Sequence, residues 1–378
     1  MAHPGRSARG IIGVLKKIDL PLFILSSFLS FMSILTIFGS VENFGRSKLV
    51  MQVAMTLLGM VTVLVIANLN YKFIIDRFAP FMLAFSVLIL GLTLIFGISG
   101  ANIETTNKSW LVIPVIGIAI QPSEFVKMLF VCTFAKHLEL VKDTINKPKT
   151  LLFLMLHAGL PTGLVLLSGD LGVALVYIGI ILLMLFASGL SGWYFLGGGA
   201  AVALAFPFIW DNLELYQQQR IIFGFRPELD PFGKGMQALM SRSAIENGGF
   251  FGRGLFGGSV YEDLAASHTD FIFATVCEKF GFVGGFLVIA AIVLFVVRLV
   301  YIAIRASDDT GRFICIGIAA MMILQTAENI GMCLALIPVI GITLPFMSAG
   351  GSSVLALYMM TALAHSVAAR EKRLYFRR

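Results

Sequence analysis

The residues most able to do chemistry in this chain stand inside, or at the edges of, long apolar runs. Asp270, in His268-Thr269-Asp270, closes a polar stretch and opens an apolar one. Partial desolvation at such a boundary raises a carboxylate pKa toward neutral, which suits a general base. His268 and Thr269 are placed to shape its hydrogen bonding, and an ordinary helix N-cap accounts for the aspartate equally well. Glu124 and Lys127 are spaced i, i+3 on one helix face behind Pro122, a residue suited to a first helical turn. They read either as a self-neutralised structural pair or as a contact for substrate or ion, with Lys127 reaching a phosphate while Glu124 holds it. Asp170, in Ser168-Gly169-Asp170-Leu171-Gly172, reads first as a cap for the next helix and second as a substrate or cation contact. Trp110, beside Asn107, Lys108 and Ser109, has the look of an interface anchor.

Other residues read as structural. Gly248-Gly249-Phe250-Phe251-Gly252-Arg253-Gly254 fits neither a P-loop nor a dinucleotide fingerprint. It reads as a flexible or tightly turned part of the loop, in which Arg253 is a weak candidate for an anion contact. His137 and His157 stand alone without metal-ligand spacing, and Cys132, Cys277, Cys315 and Cys333 form no CxxC pair. Packing roles fit all six.

The elements that must position these groups follow from composition. The 378 residues are 58% hydrophobic and 13% charged, about half the charge of a soluble domain. Lipid is therefore the solvent for most of the surface. A spanning helix needs about 20 apolar residues. Charge-free runs cover 20–41, 49–71, 78–103, 150–169, 171–210, 280–297, 313–327 and 329–369. The run 171–210 is double length and is divided at Gly189, Ser191 and Gly192. Pro338, Gly341, Pro345 and the Ser348–Ser353 stretch break 329–369, so one span runs from 313 to about 335 and the last from about 352 to 369. A less pure span covers 121–141. The expectation is one all-α integral membrane domain over residues 1–378, with about ten transmembrane helices and no cleavable leader. Between the seventh and eighth spans it carries a large extracytoplasmic loop, about 211–269, in which Met236–Asn247 reads as a short amphipathic helix on the membrane. The run Leu111–Ile120 is half a span, re-entrant or extended along the surface.

Orientation follows the lysine and arginine bias of the connections. With the N-terminus inside, the inside clusters are Arg6, Arg9, Lys16 and Lys17; Lys72 and Arg77; Lys142, Lys147 and Lys149; Arg298, Arg305 and Arg312; and Arg370, Lys372, Arg373, Arg377 and Arg378. Both termini are then cytoplasmic, and the net charge of +7 needs no nucleic acid.

Taken together these pieces resemble the SEDS family (shape, elongation, division and sporulation, with RodA, FtsW and SpoVE as members), and within it RodA most. The resemblance is carried by Gln121-Pro122-Ser123-Glu124-Phe125-Val126-Lys127, Asp170-Leu171-Gly172, Tyr216-Gln217 through Arg220, and Gly248-Gly249 through Gly254. It continues in His268-Thr269-Asp270-Phe271-Ile272-Phe273-Ala274, Asn329-Ile330-Gly331-Met332 and Gly350-Gly351-Ser352-Ser353, spanning about Asp19 to Ala369 in family order. The sequence departs from the family pattern at Ala265-Ala266, where Pro-Glu is usual, and at Ser168-Gly169, Ala349 and Lys108-Ser109.

The resemblance implies a ten-span peptidoglycan glycosyltransferase of the bacterial cytoplasmic membrane. Such an enzyme polymerises lipid II on the outer face during elongation, beside a class B penicillin-binding protein and other membrane proteins of the elongation machinery. The family's essential aspartate matches Asp270, its Glu/Lys pair Glu124 and Lys127, its Asp-Leu-Gly aspartate Asp170, and its loop tryptophan Trp110. Asp270 would be the general base, and Lys108, Lys127, Arg220 and Arg253 candidates to meet the pyrophosphate. A divalent cation, Mg²⁺ or Mn²⁺, has room beside the carboxylates, and His268, Thr269 and Ser352 complete the expected substrate contacts. A flippase for lipid-linked precursors and a non-catalytic activator of a penicillin-binding protein are the rival readings.

Overall fold

The computed structural model describes residues 17–98, 108–113 and 118–375. The apolar runs become helices α1 (Leu20–Phe38), α2 (Arg46–Ile66), α3 (Tyr71–Phe96), α4 (Pro122–Val141), α5 (Pro148–Leu167), α6 (Leu171–Ala187) and α7 (Gly192–Asn212). Two loop helices follow, α8 (Leu215–Phe225) and α9 (Met236–Gly248), and then α10 (Ile272–Ile304), α11 (Asp309–Cys333) and α12 (Gly351–Tyr375). Among the described residues, eight helices are long and apolar enough to cross a membrane. The other two expected spans are α6, wholly apolar but 17 residues long, and α4, which carries Glu124, Lys127, Lys136 and Glu139. At 1.5 Å per residue, α6 still covers about 25 Å. Ten membrane-length helices among the described residues agree with the expected spans, and the chain is a multi-pass membrane protein.

Side chains at the helix starts supply the acceptors that first-turn N–H groups lack. Asp19 accepts from the Leu22 N–H, Asp170 from Val173 and Asp308 from Gly311. Pro122 and Pro148 open α4 and α5, where a missing N–H costs nothing.

One end of the bundle is laced by ion pairs. Arg298 on α10 grips Asp19 with Nη2–Oδ2 at 2.6 Å, and the Asp19 N–H donates to His365 Nδ1 on α12 at 3.0 Å. Nearby, Lys136 pairs with Asp76 and Glu139, and the Tyr71 hydroxyl donates to Asp308. Described residues from both ends of the chain meet here, as an even number of crossings requires. Of the basic clusters named above, Arg6, Arg9, Lys16, Arg377 and Arg378 lie outside the described residues. The opposite end carries the turn after α1, a two-stranded hairpin of β1 (Leu111–Ile113) and β2 (Ile118–Ile120), the α5–α6 corner, and the long loop. Within the Leu111–Ile120 run, the described residues 111–113 and 118–120 are extended.

The long loop is anchored to α10 by a break in that helix. Gly281 has φ 68° and ψ −165°, which frees backbone groups on either side of it. The glycine-rich segment fills the gap. Arg253 and Gly254 N–H groups donate to the Glu278 and Lys279 carbonyls, and Phe282 and Val283 donate to the Gly249 and Phe250 carbonyls. A Cβ at Gly281 would lie 2.4 Å from Gly252 N and Phe250 O. Glycine is needed there both for its positive φ and for the closeness of the two backbones. The sequence reading of this segment as a tight turn holds. The spanning part of α10 is residues 282–304; residues 272–280 belong to the loop side of the break.

Helix α9 forms where a surface helix was expected, but it is packed on α10 and α11. Ala238, Ser241 and Ala244 are buried, and Ser241 Oγ donates to the Cys333 carbonyl at 3.0 Å. Small residues let it approach protein rather than lipid. His137 and His157, read as solitary, face each other from α4 and α5, with their Nδ1 atoms 2.9 Å apart.

Candidate functional site

Asp270 is half-buried, in the turn just before α10. Its backbone is fixed from several directions. The carbonyl of Ser267 accepts from Thr275 Oγ1, that of His268 from the Ala349 N–H, that of Thr269 from Ser348 Oγ, and that of Asp270 from Asn329 Nδ2. Four successive carbonyls are therefore satisfied by α10 itself, by α11 and by the segment leading into α12. Asn329 also donates to the Ile342 carbonyl at 2.7 Å, and Gly341, at φ 71°, lies against the Asp270 carboxylate. A side chain held by so many distant strands of chain is preorganised rather than free to wander.

The carboxyl of Asp270 is pushed up to about 6, first by burial, with the charge of Asp170 adding to it and the Thr269 side chain opposing. Asp170 stands at the start of α6. Its Oδ1 caps Val173 at 3.1 Å, and its Oδ2 accepts from Gln121 Nε2 at 2.8 Å. Burial raises its pKa also; the Val173 N–H opposes that, and the nearby Glu124 carboxylate adds to it. The cap reading of Asp170 holds, and its charge reaches Asp270 as well.

Glu124 and Lys127 face each other on α4 with Nζ–Oε1 at 2.7 Å, and the lysine side chain is wholly buried. The field of Lys127 reaches Asp170. Gln121, Glu124, Lys127, Asp170 and Asp270 thus form one electrostatically coupled group at the loop end of the bundle. An ammonium buried at this depth survives because its carboxylate partner lies one helical turn away.

The remaining candidates sit around this core at differing distances. The His268 ring packs on Phe44 with centroids 5.2 Å apart, and burial together with Lys48 lowers its pKa. It supports the Asp270 turn through its carbonyl instead of bonding the carboxylate. The Arg253 guanidinium is exposed and donates to Asn247 O and Oδ1 at 2.7 Å, closing the glycine-rich turn. Lys108 is exposed, and its backbone N–H ties the hairpin to the Ser168 carbonyl beside Asp170. Trp110 continues that connection through a bridge to Ile98. Ser352 lies half-buried in the first turn of α12. The side chains of Tyr216, Gln217 and Arg220, and all of Asn107, lie outside the described residues.

Two residues escaped the sequence reading altogether. Glu278 is fully buried, and its carboxylate accepts from the Ser259, Val260 and Tyr261 N–H groups and from Asn247 Nδ2. Lys279 beside it donates to the carbonyls of Gly39, Leu255 and Gly257, with its Nζ 4.3 Å from the Tyr261 ring centroid. Together they bind the loop to α10 and to the end of α1. Among the described residues no three His, Cys, Asp or Glu side chains converge to hold a metal ion. Glu124 and Asp170 already accept from Lys127 and Gln121. The donor set does not fit a divalent site built by the protein alone.

Fold and site together define a polytopic membrane protein with a raised-pKa carboxylate coupled to a charged group at the end of the bundle that carries a clamped loop. A profile of the FtsW/RodA/SpoVE family, described as cell cycle protein, matches residues 14–373. The probable peptidoglycan glycosyltransferase FtsW of Trichlorobacter lovleyi is 35% identical over 320 residues, covering 83% of this chain and 82% of that protein. The peptidoglycan glycosyltransferase MrdB of Escherichia coli K12 is 32% identical over 330 residues, covering 85% of each. A chain from a structure on the coordination of polymerization and crosslinking by a peptidoglycan synthase complex superposes with TM-score 0.81 at 27% identity, over 94% of this chain and 98% of that one. The Thermus thermophilus rod shape determining protein RodA shares the fold at TM-score 0.68 and 23% identity, over 93% of this chain and 96% of that one. The chain belongs to the FtsW/RodA/SpoVE family, the SEDS proteins.

Proposed function

We propose that this chain is a peptidoglycan glycosyltransferase that polymerises lipid II at the outer face of the cytoplasmic membrane, in the elongation branch of the family. The observation that carries the proposal is Asp270: a carboxylate of pKa about 6, half-exposed, with its backbone pinned on successive carbonyls. At neutral pH it is ionised yet basic enough to take a proton. It would remove the proton from the acceptor GlcNAc 4-hydroxyl as that oxygen bonds to C1 of the donor MurNAc. The C1–O bond to the lipid breaks with inversion, and the electron pair leaves on undecaprenyl pyrophosphate. A positioned base of this kind contributes about 10²–10⁴ in rate. Lys127 supplies a buried cation for the leaving group, while Lys108 and Arg253 are exposed.

The basic clusters at the Asp19 end support a cytoplasmic position for that end and an outside position for the loop. A class B penicillin-binding protein is the partner this reading requires, because a polymerised glycan must be cross-linked. The test is lipid II polymerisation by the purified chain, with moenomycin as a control for contaminating glycosyltransferases of another family. Moenomycin-resistant glycan that disappears with Asp270→Asn supports the proposal. Wild-type rates from a folded Asp270→Asn protein, or transbilayer lipid movement without glycan, would overturn it.

A further inference from the structure

Glu328 has no part in the site described so far, yet its helix packs on the one that carries Lys127. It lies on α11 five residues before Cys333, the helix end at the Asp270 side, and Lys127 lies five residues after Pro122, where α4 begins on that side. Each is therefore about 7.5 Å into the bundle, and α4 packs on α11. One oxygen of Glu328, Oε2, is buried with no hydrogen-bond partner. Gln325 Oε1, one turn earlier on the same helix, is in the same condition. Lys127 is the cation whose field acts on Glu328, although its Nζ is bonded to Glu124.

A carboxylate oxygen buried without a hydrogen-bond partner is costly, so it is retained where a cation offsets it. The lysine side chain is long and flexible; its ammonium is bonded to Glu124, and Glu328 stands on the helix packed against it. We propose that Glu328 is a second counter-charge for Lys127, a positioning residue that holds the ammonium from α11 as Glu124 holds it from α4. An ammonium held from two helices stays in place when either carboxylate is drawn away or protonated. For its kinetic consequence this rests on Lys127 being the contact for the anionic leaving group; the electrostatic claim itself does not.

The test is a melting cycle on the full chain in detergent: wild type, Glu124→Gln, Glu328→Gln, the double variant, and the double variant carrying Lys127→Met. Each single variant is expected to lower the melting temperature modestly. The double variant should lower it by more than the sum, because it leaves a buried ammonium unpaired. Lys127→Met should restore much of the loss, and a double variant that fails to fold alone should then fold. An additive double variant, or no rescue by Lys127→Met, would overturn the proposal. In polymerisation, Glu328→Gln is expected to raise KM for lipid II threefold or more, with kcat within twofold and Glu328→Asp recovering the wild-type value. An unchanged KM would sink the positioning role. Should the wild-type chain make no glycan, the polymerase reading fails while the melting cycle still decides the counter-charge.

Discussion

Replacing Asp270 by asparagine should abolish activity and at the same time stabilise the protein. The Asp270 carboxyl lies at about 6 in the folded chain against an ordinary value of 3.8, mainly because burial disfavours its charge. A folded value above the unfolded one means that the native state binds the extra proton. Stability tied to this group is fully present below pH 3.8 and is lost as pH rises through about 6. The gap corresponds to a penalty on the order of 3 kcal/mol at pH 7.5. Asparagine has the same shape and never ionises, so it avoids that penalty. Melting of the detergent-solubilised chain at pH 7.5 should rise by a few degrees in Asp270→Asn. The difference should shrink toward zero at pH 4, where the wild-type carboxyl is protonated in the fold. Polymerisation of lipid II by the same preparation should fall by about 10²–10⁴. A variant that melts lower than wild type at pH 7.5, or a stability difference independent of pH, would show that burial does not govern this carboxylate.

The same carboxylate sets the acid limb of the rate. With a pKa of about 6, the ionised fraction falls roughly tenfold between pH 7 and pH 5, and initial polymerisation rates should follow; a flat profile over that range would exclude Asp270 as the base. Asn329→Ala unpins the Asp270 carbonyl, so kcat should drop by roughly tenfold or more with little change in KM, as steady-state kinetics would reveal. Gly281→Ala places a methyl on the glycine-rich turn and forces a positive φ, costing on the order of 3 kcal/mol, which thermal melting would register. Glu278→Gln puts an amide donor among backbone donors that need an acceptor, and the loop should become sensitive to trypsin at Arg253 or Lys234 while the bundle survives.

Much of this architecture was legible because lipid imposes a length rule that apolar runs display directly. The cap role of Asp170 and the Glu124–Lys127 pair were legible because both are local, three residues apart in each case. The contacts that pin Asp270 were not, since Asn329 and Ser348 come from 59 and 79 residues away and no local pattern links them to the turn. Glu278 and Lys279 follow a short apolar stretch, and the charge-free run that starts at 280 places the eighth span just after them, so their burial under the loop left no sequence signal. Glu328 separated two apolar runs and passed for a boundary, although α11 continues through it to Cys333. The His137–His157 contact joins different helices and was equally invisible.

The position of the site follows from where a membrane protein can tolerate irregular backbone. Within lipid every N–H and C=O needs a partner, so non-helical chain survives only where other protein satisfies it. In this chain the glycine-rich turn satisfies the break at Gly281, and three separate elements satisfy the carbonyls from Ser267 to Asp270. The interactions that make the irregular turn affordable are the same ones that fix Asp270. Loosening any of them is therefore expected to impair catalysis before it unfolds the bundle, because the helices are held by their own apolar packing while the carboxylate is held by these few bonds.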